Sequence, residues 1–417
     1  MENSTDTQRR FWHRYRNLPK NVWALSFVSF LNDTSSEIIY PLLPTFLFLA
    51  LGASPFAIGV IEGIAETTAS LLKLFSGYLS DKFHHRKLPV FIGYALAGVT
   101  RPLLAFVTNW YQVLGVRTTD RIGKGIRGAP RDALLAAEVP FEKRGLAFGF
   151  NRAADHLGAV FGPVIAFVLL YFFASNAQNP TIDEYRQVFL VASIPVVLGL
   201  FIIAFFVKDN PREIPLDAPK IKLSLKEFDS NFKRFLVVIA LFTLSNSTDA
   251  FLLLRASEAG IATAMLPILW MVLHFSKFLS SIIGGDLSDR LGRKTMIFSG
   301  WILYALVYIG FAYINSPWQA WALFVVYGFY FGLTEGAEKA LVADLVTPEK
   351  RGTAFGLYNL AFGATVFPAS LLLGALWSWY GHTVAFIFSA ILSICAAFFL
   401  LTVRSTPETL SEVSEKT

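Results

Sequence analysis

Gly77-Tyr78-Leu79-Ser80-Asp81-Lys82 and Gly285-Asp286-Leu287-Ser288-Asp289-Arg290 are one hexapeptide pattern written twice in the same chain. A second pair keeps that spacing. Glu142-Lys143-Arg144-Gly145, followed by Ala147-Phe148-Gly149, returns as Glu349-Lys350-Arg351-Gly352, followed by Ala354-Phe355-Gly356. Both pairs lie about 208 residues apart, half of a 417-residue chain. A repeat of this length predicts two halves of like architecture and like direction, related by an axis between them.

Between the repeated motifs the chain is apolar. Hydrophobic residues make up 54% of it, aromatic residues 15% and charged residues 16%, and the mean hydropathy is +0.52. Soluble domains carry about 25% charged residues. The apolar runs reach roughly 20 residues or more, enough for an α-helix to cross about 30 Å of hydrocarbon. Twelve spans are expected, at 22–50, 56–80, 88–109, 111–136, 145–174, 186–207, 233–256, 261–288, 295–314, 317–344, 352–380 and 383–403. A soluble enzyme, a disordered chain and a disulfide-stapled domain are excluded. The single cysteine, Cys395, can close no intrachain bridge. The expected fold class is an all-α membrane protein with two pseudo-symmetric six-helix bundles. Residues 1–21 form a tail, 22–207 the first bundle, 208–232 a linker with three prolines, 233–403 the second bundle and 404–417 a second tail.

A formal charge of +6 raises the question of a polyanion partner, and the placement of the charge answers it. Basic residues precede the first run (Arg9, Arg10, Arg14, Arg16, Lys20) and then follow every second run. The connections between, such as 51–56 and 314–319, carry none. That alternation is the positive-inside pattern, with both termini cytoplasmic. Nucleic acid is therefore not an expected partner, and a lipid bilayer is.

On these motifs the chain resembles the major facilitator superfamily over essentially its whole length. The family's loop motif, G-x-L-[SA]-D-R-x-G-R-[RK], is complete from Gly285 through Arg293 to Lys294. Its first copy, from Gly77 through Arg86 to Lys87, carries His84 and His85 where glycine and arginine belong. The resemblance implies that Asp81 and Asp289, with Arg86, Arg290 and Arg293, latch one conformation of the carrier. Arg121-x-x-Lys124-Gly125 in the fourth span is similar to an element tied to proton coupling in the family. Gly158-x-x-x-Gly162-Pro163 is similar to a helix-packing element of its antiporters, although Ile165-Ala166 replace the trailing glycines. The family arrangement implies a central cavity formed by spans one, four, seven and ten, and a monomer.

Ionisable residues inside the spans carry the functional reading, because each charge at the bilayer centre costs about 2.5–3.5 kcal/mol unless compensated. Span four holds Arg117, Asp120, Arg121, Lys124, Arg127, Arg131 and Asp132, all within an arc of roughly 140° at 100° per residue. Arg131 and Asp132 are expected at the helix end, reaching for the surface. Span two places Glu62, Glu66 and Lys73 on one face, and span one places Asp33 and Glu37 one turn apart beside Asn32. Span five adds Arg152, Asp155 and His156. Asp33, Glu37, Asp120, Arg121 and Asp155 are the expected proton-coupling residues, since a carboxylate beside an arginine can link protonation to movement. The expected cavity residues are Asn32, Glu62, Glu66, Lys124 and Arg127, with Asn246, Asp249, His274, Lys277 and Glu335 from the second half. Asp249 is aligned with Glu37 in the repeat.

No phosphate-binding loop, metal-ligand cluster or nucleophile signature is present in the sequence, so no cofactor is expected and a proton gradient is the expected energy source. The sequence-level expectation is a proton-coupled secondary transporter of a small anionic or zwitterionic organic solute, which could chelate a metal. It lies in a bacterial-type cytoplasmic membrane. A multidrug–proton antiporter and a non-transporting receptor on the same fold are the alternatives.

Overall fold

The structure is a computed structural model and describes residues 18–82, 86–137, 139–140, 144–209, 225–347 and 350–404. The expected tail 1–17, most of the linker (210–224), His84, His85 and residues 405–417 lie outside the described residues. So do the side chains of Gly77, Asp81, Gly285, Asp289 and Arg290, although their backbone is helical. The expected latch contacts of Asp81, Asp289 and Arg290 lie outside the described residues.

Twelve helical segments carry the described chain. The first half contains α1 (Lys20–Ile39), α2 (Pro55–Lys82), α3 (Lys87–Leu103), α4 (Trp110–Ala137), α5 (Arg144–Phe173) and α6 (Ile182–Phe206). The second half contains α7 (Ser230–Glu258), α8 (Leu266–Leu291), α9 (Arg293–Tyr313), α10 (Pro317–Asp344), α11 (Arg351–Tyr380) and α12 (His382–Leu400). Among the described residues nine helices are long and apolar enough to cross a membrane. The three outside that set are α1, α4 and α10. The ionisable residues of α1 and α4 face the inside of the molecule, where Asp33, Glu37, Arg117 and Arg121 line a cavity.

The first helix of each half breaks at the matching place. In α1 the regular helix stops at Ile39 and passes through tighter and wider turns to Ala50, because Pro41 and Pro44 lack the N–H donors a helix needs. In α7 the helix stops at Ser245 and restarts at Ala250. The freed Ser245 carbonyl accepts from Tyr304 Oη at 2.8 Å, which satisfies it locally. The two breaks meet. Tyr40 Oη lies 3.5 Å from Thr248 Oγ1, and the two residues are 208 positions apart, so repeat-equivalent positions touch between the halves. At the motif spacing of 208 residues Asp249 corresponds to Pro41, one turn beyond Glu37.

The halves also join through α2 against α11 and α5 against α8. The α2–α11 seam is built of small residues. A Cβ on Gly63 would lie 3.1 Å from Ser370 Cβ, one on Gly363 would lie 2.6 Å from Ser70 Cβ, and Thr67 Oγ1 donates to Gly363 O at 2.9 Å. The seam runs from these mid-helix contacts to the start of α2 and the end of α11, where Phe56 N donates to Ser378 Oγ at 2.9 Å and a Cβ on Gly374 would lie 2.7 Å from Pro55 O. The seam thus closes the end of the molecule away from the start of α1 and the end of α12.

Within the first half α5 presses on α1. A Cβ on Gly158 would meet Phe30 O at 2.6 Å, and one on Gly162 would meet Thr34 O at 2.6 Å and Glu37 Cβ at 2.8 Å. The glycines of the Gly158-x-x-x-Gly162-Pro163 element therefore admit the α1 backbone, and they set the position of the turn carrying Asp33 and Glu37.

Candidate functional site

A cavity of about 650 Å³ lies between α1, α2, α4 and α5 on one side and α7 and α8 on the other. Its walls are built from charge. Glu62 and Glu66 stand one turn apart on α2, and Arg117 and Arg121 stand one turn apart on α4. The two helices pack side by side, so each acid meets one base. Arg117 Nη2 donates to both Glu62 oxygens at 2.8 Å, and its Nε donates to Oε1 at 3.0 Å. One turn on, Arg121 Nη2 lies 2.8 Å from Glu66 Oε1. Forked contacts of this kind are the geometry in which a buried ion pair recovers most of its desolvation cost.

A third set stands behind α4. Arg101 of α3 donates through Nη1 and Nη2 to the carbonyl and side-chain oxygens of Asn32, both at 2.9 Å, and its Nε lies 3.6 Å from Asp120 Oδ1. Arg127 Nη1 donates to Gly93 O at 3.1 Å, and its guanidinium stacks 4.5 Å from the Tyr94 ring centroid. Asn32 in turn donates from Nδ2 to Asp33 Oδ1 at 3.0 Å. One asparagine thereby orients two arginines and an aspartate.

Toward the start of α1 and the end of α4 the lining is again charged. Arg131 pairs with Asp132 at 3.1 Å and donates to Ser29 Oγ at 2.9 Å. Arg152 lies 3.5 Å from Asp155 and is 71% exposed. Arg131 and Asp132 thus line the cavity instead of reaching outward from a helix end, because α4 runs on to Ala137.

At the other end the halves close over the cavity. Trp270 Nε1 of α8 donates to Glu37 Oε2 of α1 at 2.7 Å, and the Tyr40 and Trp270 rings lie 4.9 Å apart. Lys277 Nζ sits 3.7 Å from Asp249 Oδ2, and Tyr327 Oη donates to Asp249 Oδ1 at 2.8 Å. Lys277 also lies 3.5 Å from the Phe331 ring centroid, a cation–π distance.

Two cations are left over. Lys73 and Lys124 both line the cavity, and among the described residues no carboxylate oxygen comes within 4.0 Å of either.

Several residues expected in the cavity, and Asp120 expected in proton coupling, lie outside its lining. Glu62 and Asp120 are buried behind the wall, turned to Arg117 and Arg101. Asn246 donates to Tyr330 Oη at 3.1 Å. His274 packs edge-on against Trp270 at 4.9 Å, away from the cavity lining. Glu335 pairs with Lys339 one turn along α10 at 3.1 Å, and both are exposed. The i,i+4 spacing of that pair was the signal that it satisfies itself.

Sequence reasoning passed over Arg101 and Trp270. Arg101 is a lone charge in an apolar span just before Pro102, a signal by the cost of burial alone. The buried tyrosines behind Asp249 were also missed. Tyr304 stacks on Tyr308 at 4.1 Å and Tyr327 on Tyr330 at 5.7 Å. Their spacings of four and three residues mark one helix face each.

Comparison with known proteins agrees with this architecture. The Major Facilitator Superfamily profile matches residues 25–363 and 254–417. An uncharacterised MFS-type transporter of Methanocaldococcus jannaschii is 34% identical over 394 residues, 93% of this chain and 95% of the relative. A multi-drug resistance efflux pump of Streptococcus pneumoniae is 25% identical over 406 residues, 92% of this chain and 95% of that protein. The crystal structure of the nucleoside transporter NupG superposes with a TM-score of 0.75 at 15% identity, over 92% of this chain and 98% of that one, a likeness of fold. The chain belongs to the major facilitator superfamily and is an integral, multi-pass membrane transporter, not an enzyme.

Proposed function

We propose that this transporter carries a small anionic organic solute across a bacterial-type cytoplasmic membrane, coupled to protons, by alternating access. The observation that carries the reading is the pair of unpartnered ammonium groups, Lys73 and Lys124, in the cavity between the halves. Among the described residues Glu66, Asp132, Asp155 and Asp249 pair with other cations, so an anion entering the cavity meets two ammonium groups with no carboxylate within 4.0 Å. Asp33 and Glu37 are the proton carriers in this reading. They lie one turn apart on α1, where they bind neutral donors, Asn32 and Trp270, and not a fixed cation. A carboxylate with a neutral partner can take up a proton without stranding a buried positive charge. The positive-inside pattern makes the open end cytoplasmic, so the described state faces inward.

Export of lipophilic compounds is the second reading, supported by the similarity to a multi-drug resistance efflux pump. The cavity lining favours the first, since Tyr40, Trp270 and Ala129 are its few apolar contributors.

The test is solute-driven proton flux in liposomes that hold a pH-sensitive dye and the purified protein. Anions are expected to move protons, whereas cations and neutral lipophiles are not. Glu37→Gln and Asp33→Asn should abolish proton movement while solute exchange across the membrane persists. Proton flux driven by lipophilic cations instead would establish the second reading.

A further inference from the structure

The second half holds an acid that the solute cavity does not use. Glu338 sits half-buried on α10, outside the cavity lining. Trp301 Nε1 of α9 donates to its Oε1 at 3.0 Å, and Tyr358 Oη of α11 donates to its Oε2 at 2.8 Å. Among the described residues no basic nitrogen comes within 4.0 Å of it, because Lys339, the adjacent cation, is exposed and pairs with Glu335 at 3.1 Å. The titratable groups around it are Glu335, Lys339 and Tyr330 on its own helix and Tyr358 on α11. The α9 side presents the indole of Trp301, which does not titrate.

The first half holds a cation at the same place. A Cβ on Gly93 would strike Arg127, and one on Gly300 would strike Thr334, so positions 207 apart pack alike in the two bundles. At that offset Trp301, Glu338 and Tyr358 stand where Tyr94, Arg131 and Asn151 stand. In the first half the three positions meet at Ser29 Oγ. That oxygen takes Arg131 Nη1 at 2.9 Å and Asn151 Nδ2 at 3.3 Å, and it lies 3.5 Å from Tyr94 Oη. In the second half they meet directly, on a carboxylate. Arg131 holds its charge permanently, and it lines the cavity. Glu338 stands at the same level, six residues from the end of α10 as Arg131 is from the end of α4.

Both protonation states suit the Glu338 site. Ionised, the carboxylate accepts from two neutral donors. Protonated at Oε2, it donates to Tyr358 Oη, since a phenol hydroxyl both donates and accepts, while Trp301 still donates to Oε1. Glu62 has no such freedom, because both its oxygens take guanidinium N–H groups from Arg117 and a proton there would strand that cation. An ionised acid without a counter-ion inside a membrane bundle is disfavoured, and a bound proton removes the penalty. On the reading that the carrier is proton-coupled, we infer that Glu338 is a proton-binding residue of the second half, exchanging its proton at the open mouth with Tyr358 as its reversible partner. Coupling then draws on both halves and not on Asp33 and Glu37 alone. Closure of the mouth withdraws the remaining water from Glu338, so the closed state requires the proton.

Infrared difference spectra of the full-length protein in liposomes, recorded between acid and alkaline buffers, read the C=O stretch of a protonated carboxyl. Glu338→Gln should remove one such band. Tyr358→Phe should keep that band and move it to higher frequency, because the carboxyl loses its acceptor. The glutamine amide can accept from Trp301 and donate to Tyr358, so circular dichroism and melting temperature of Glu338→Gln should match the parent. In dye-loaded liposomes supplied with succinate, gluconate or glycerol phosphate, Glu338→Gln should stop proton movement with whichever anion moves protons in the parent. Exchange of the labelled anion should persist. Identical infrared spectra for the parent and Glu338→Gln overturn the proposal, and a band that Tyr358→Phe leaves in place overturns the partner. Proton flux unchanged in Glu338→Gln also overturns it, while Asp33 and Glu37 remain the proton carriers. If the parent moves no protons with any of the three anions, the coupled reading itself falls, and the infrared band still decides whether Glu338 binds a proton.

Discussion

Arg117 shows why a charge can be buried in this protein at tolerable cost. It is 7% exposed and its partner Glu62 is 2% exposed, yet each oxygen of the carboxylate receives a guanidinium N–H. Removing one member strands the other. Arg117→Met should lower stability by about 3–5 kcal/mol, read as a large fall in melting temperature in detergent. The double variant Glu62→Met/Arg117→Met should recover most of that loss, because no uncompensated charge remains; a double variant no better than the single one would show that the pair acts through shape. Arg121 and Lys124 stand three residues apart on one helix and differ in kind, since Arg121 is matched by Glu66 whereas Lys124 has no carboxylate within 4.0 Å among the described residues. That contrast was invisible in the sequence, where both are cations on one face of span four. Which of them finds a carboxylate depends on the neighbour opposite, and Leu72, not an acid, packs on α2 against Gly125, the residue next to Lys124.

At the scale of elements, the two interrupted helices and the glycine-bearing α5 do the positioning. Pro41 and Pro44 made the break in α1 legible from sequence, because proline cannot supply the donor. The break in α7 has no proline. It follows from tertiary contacts, with Tyr304 taking the freed Ser245 carbonyl and Thr248 Oγ1 accepting from Ala250 N at 3.3 Å. The Gly158-x-x-x-Gly162 spacing was readable as a packing face, but its partner was not. It proves to be the very turn of α1 that carries Asp33 and Glu37. Gly162→Val should therefore damage transport as well as stability. Its side chain would displace Thr34 and Glu37, at a cost of about 1–3 kcal/mol for the overpacking alone. Thermal melting and solute uptake measured on the same preparation check this, and unchanged uptake by a destabilised variant would separate α5 packing from the site.

For the molecule as a whole, Trp270 makes one of the hydrogen bonds that bridge the halves at the closed end of the cavity. A hydrogen bond to a charged group is worth about 1.5–3 kcal/mol, so if it exists in this state alone, Trp270→Phe should shift the balance away from the described state roughly 10- to 150-fold. Spin labels on the α1–α2 and α7–α8 loops would report a longer distance in the variant; an unchanged distance distribution would mean that Tyr40, Thr248 and the α2–α11 seam hold this end shut without it. The repeat, the helical class and the membrane setting were written in the chain, because span length and hydropathy are local quantities that any segment must satisfy before it packs. The apolar criterion alone leaves out α1, α4 and α10, and in α1 and α4 the ionisable residues line the cavity. The pairing of charges was not written there. Span four presents an arc of seven ionisable groups, and nothing local says that Arg117 and Arg121 are neutralised, that Asp120 turns to Arg101, or that Lys124 has no carboxylate within 4.0 Å among the described residues. Those outcomes come from the register of α2, α3 and α4, set by close helix packing along the bundle. A shift of one turn would exchange every partner, so the cavity's charge belongs to the assembled bundle and not to any helix in it.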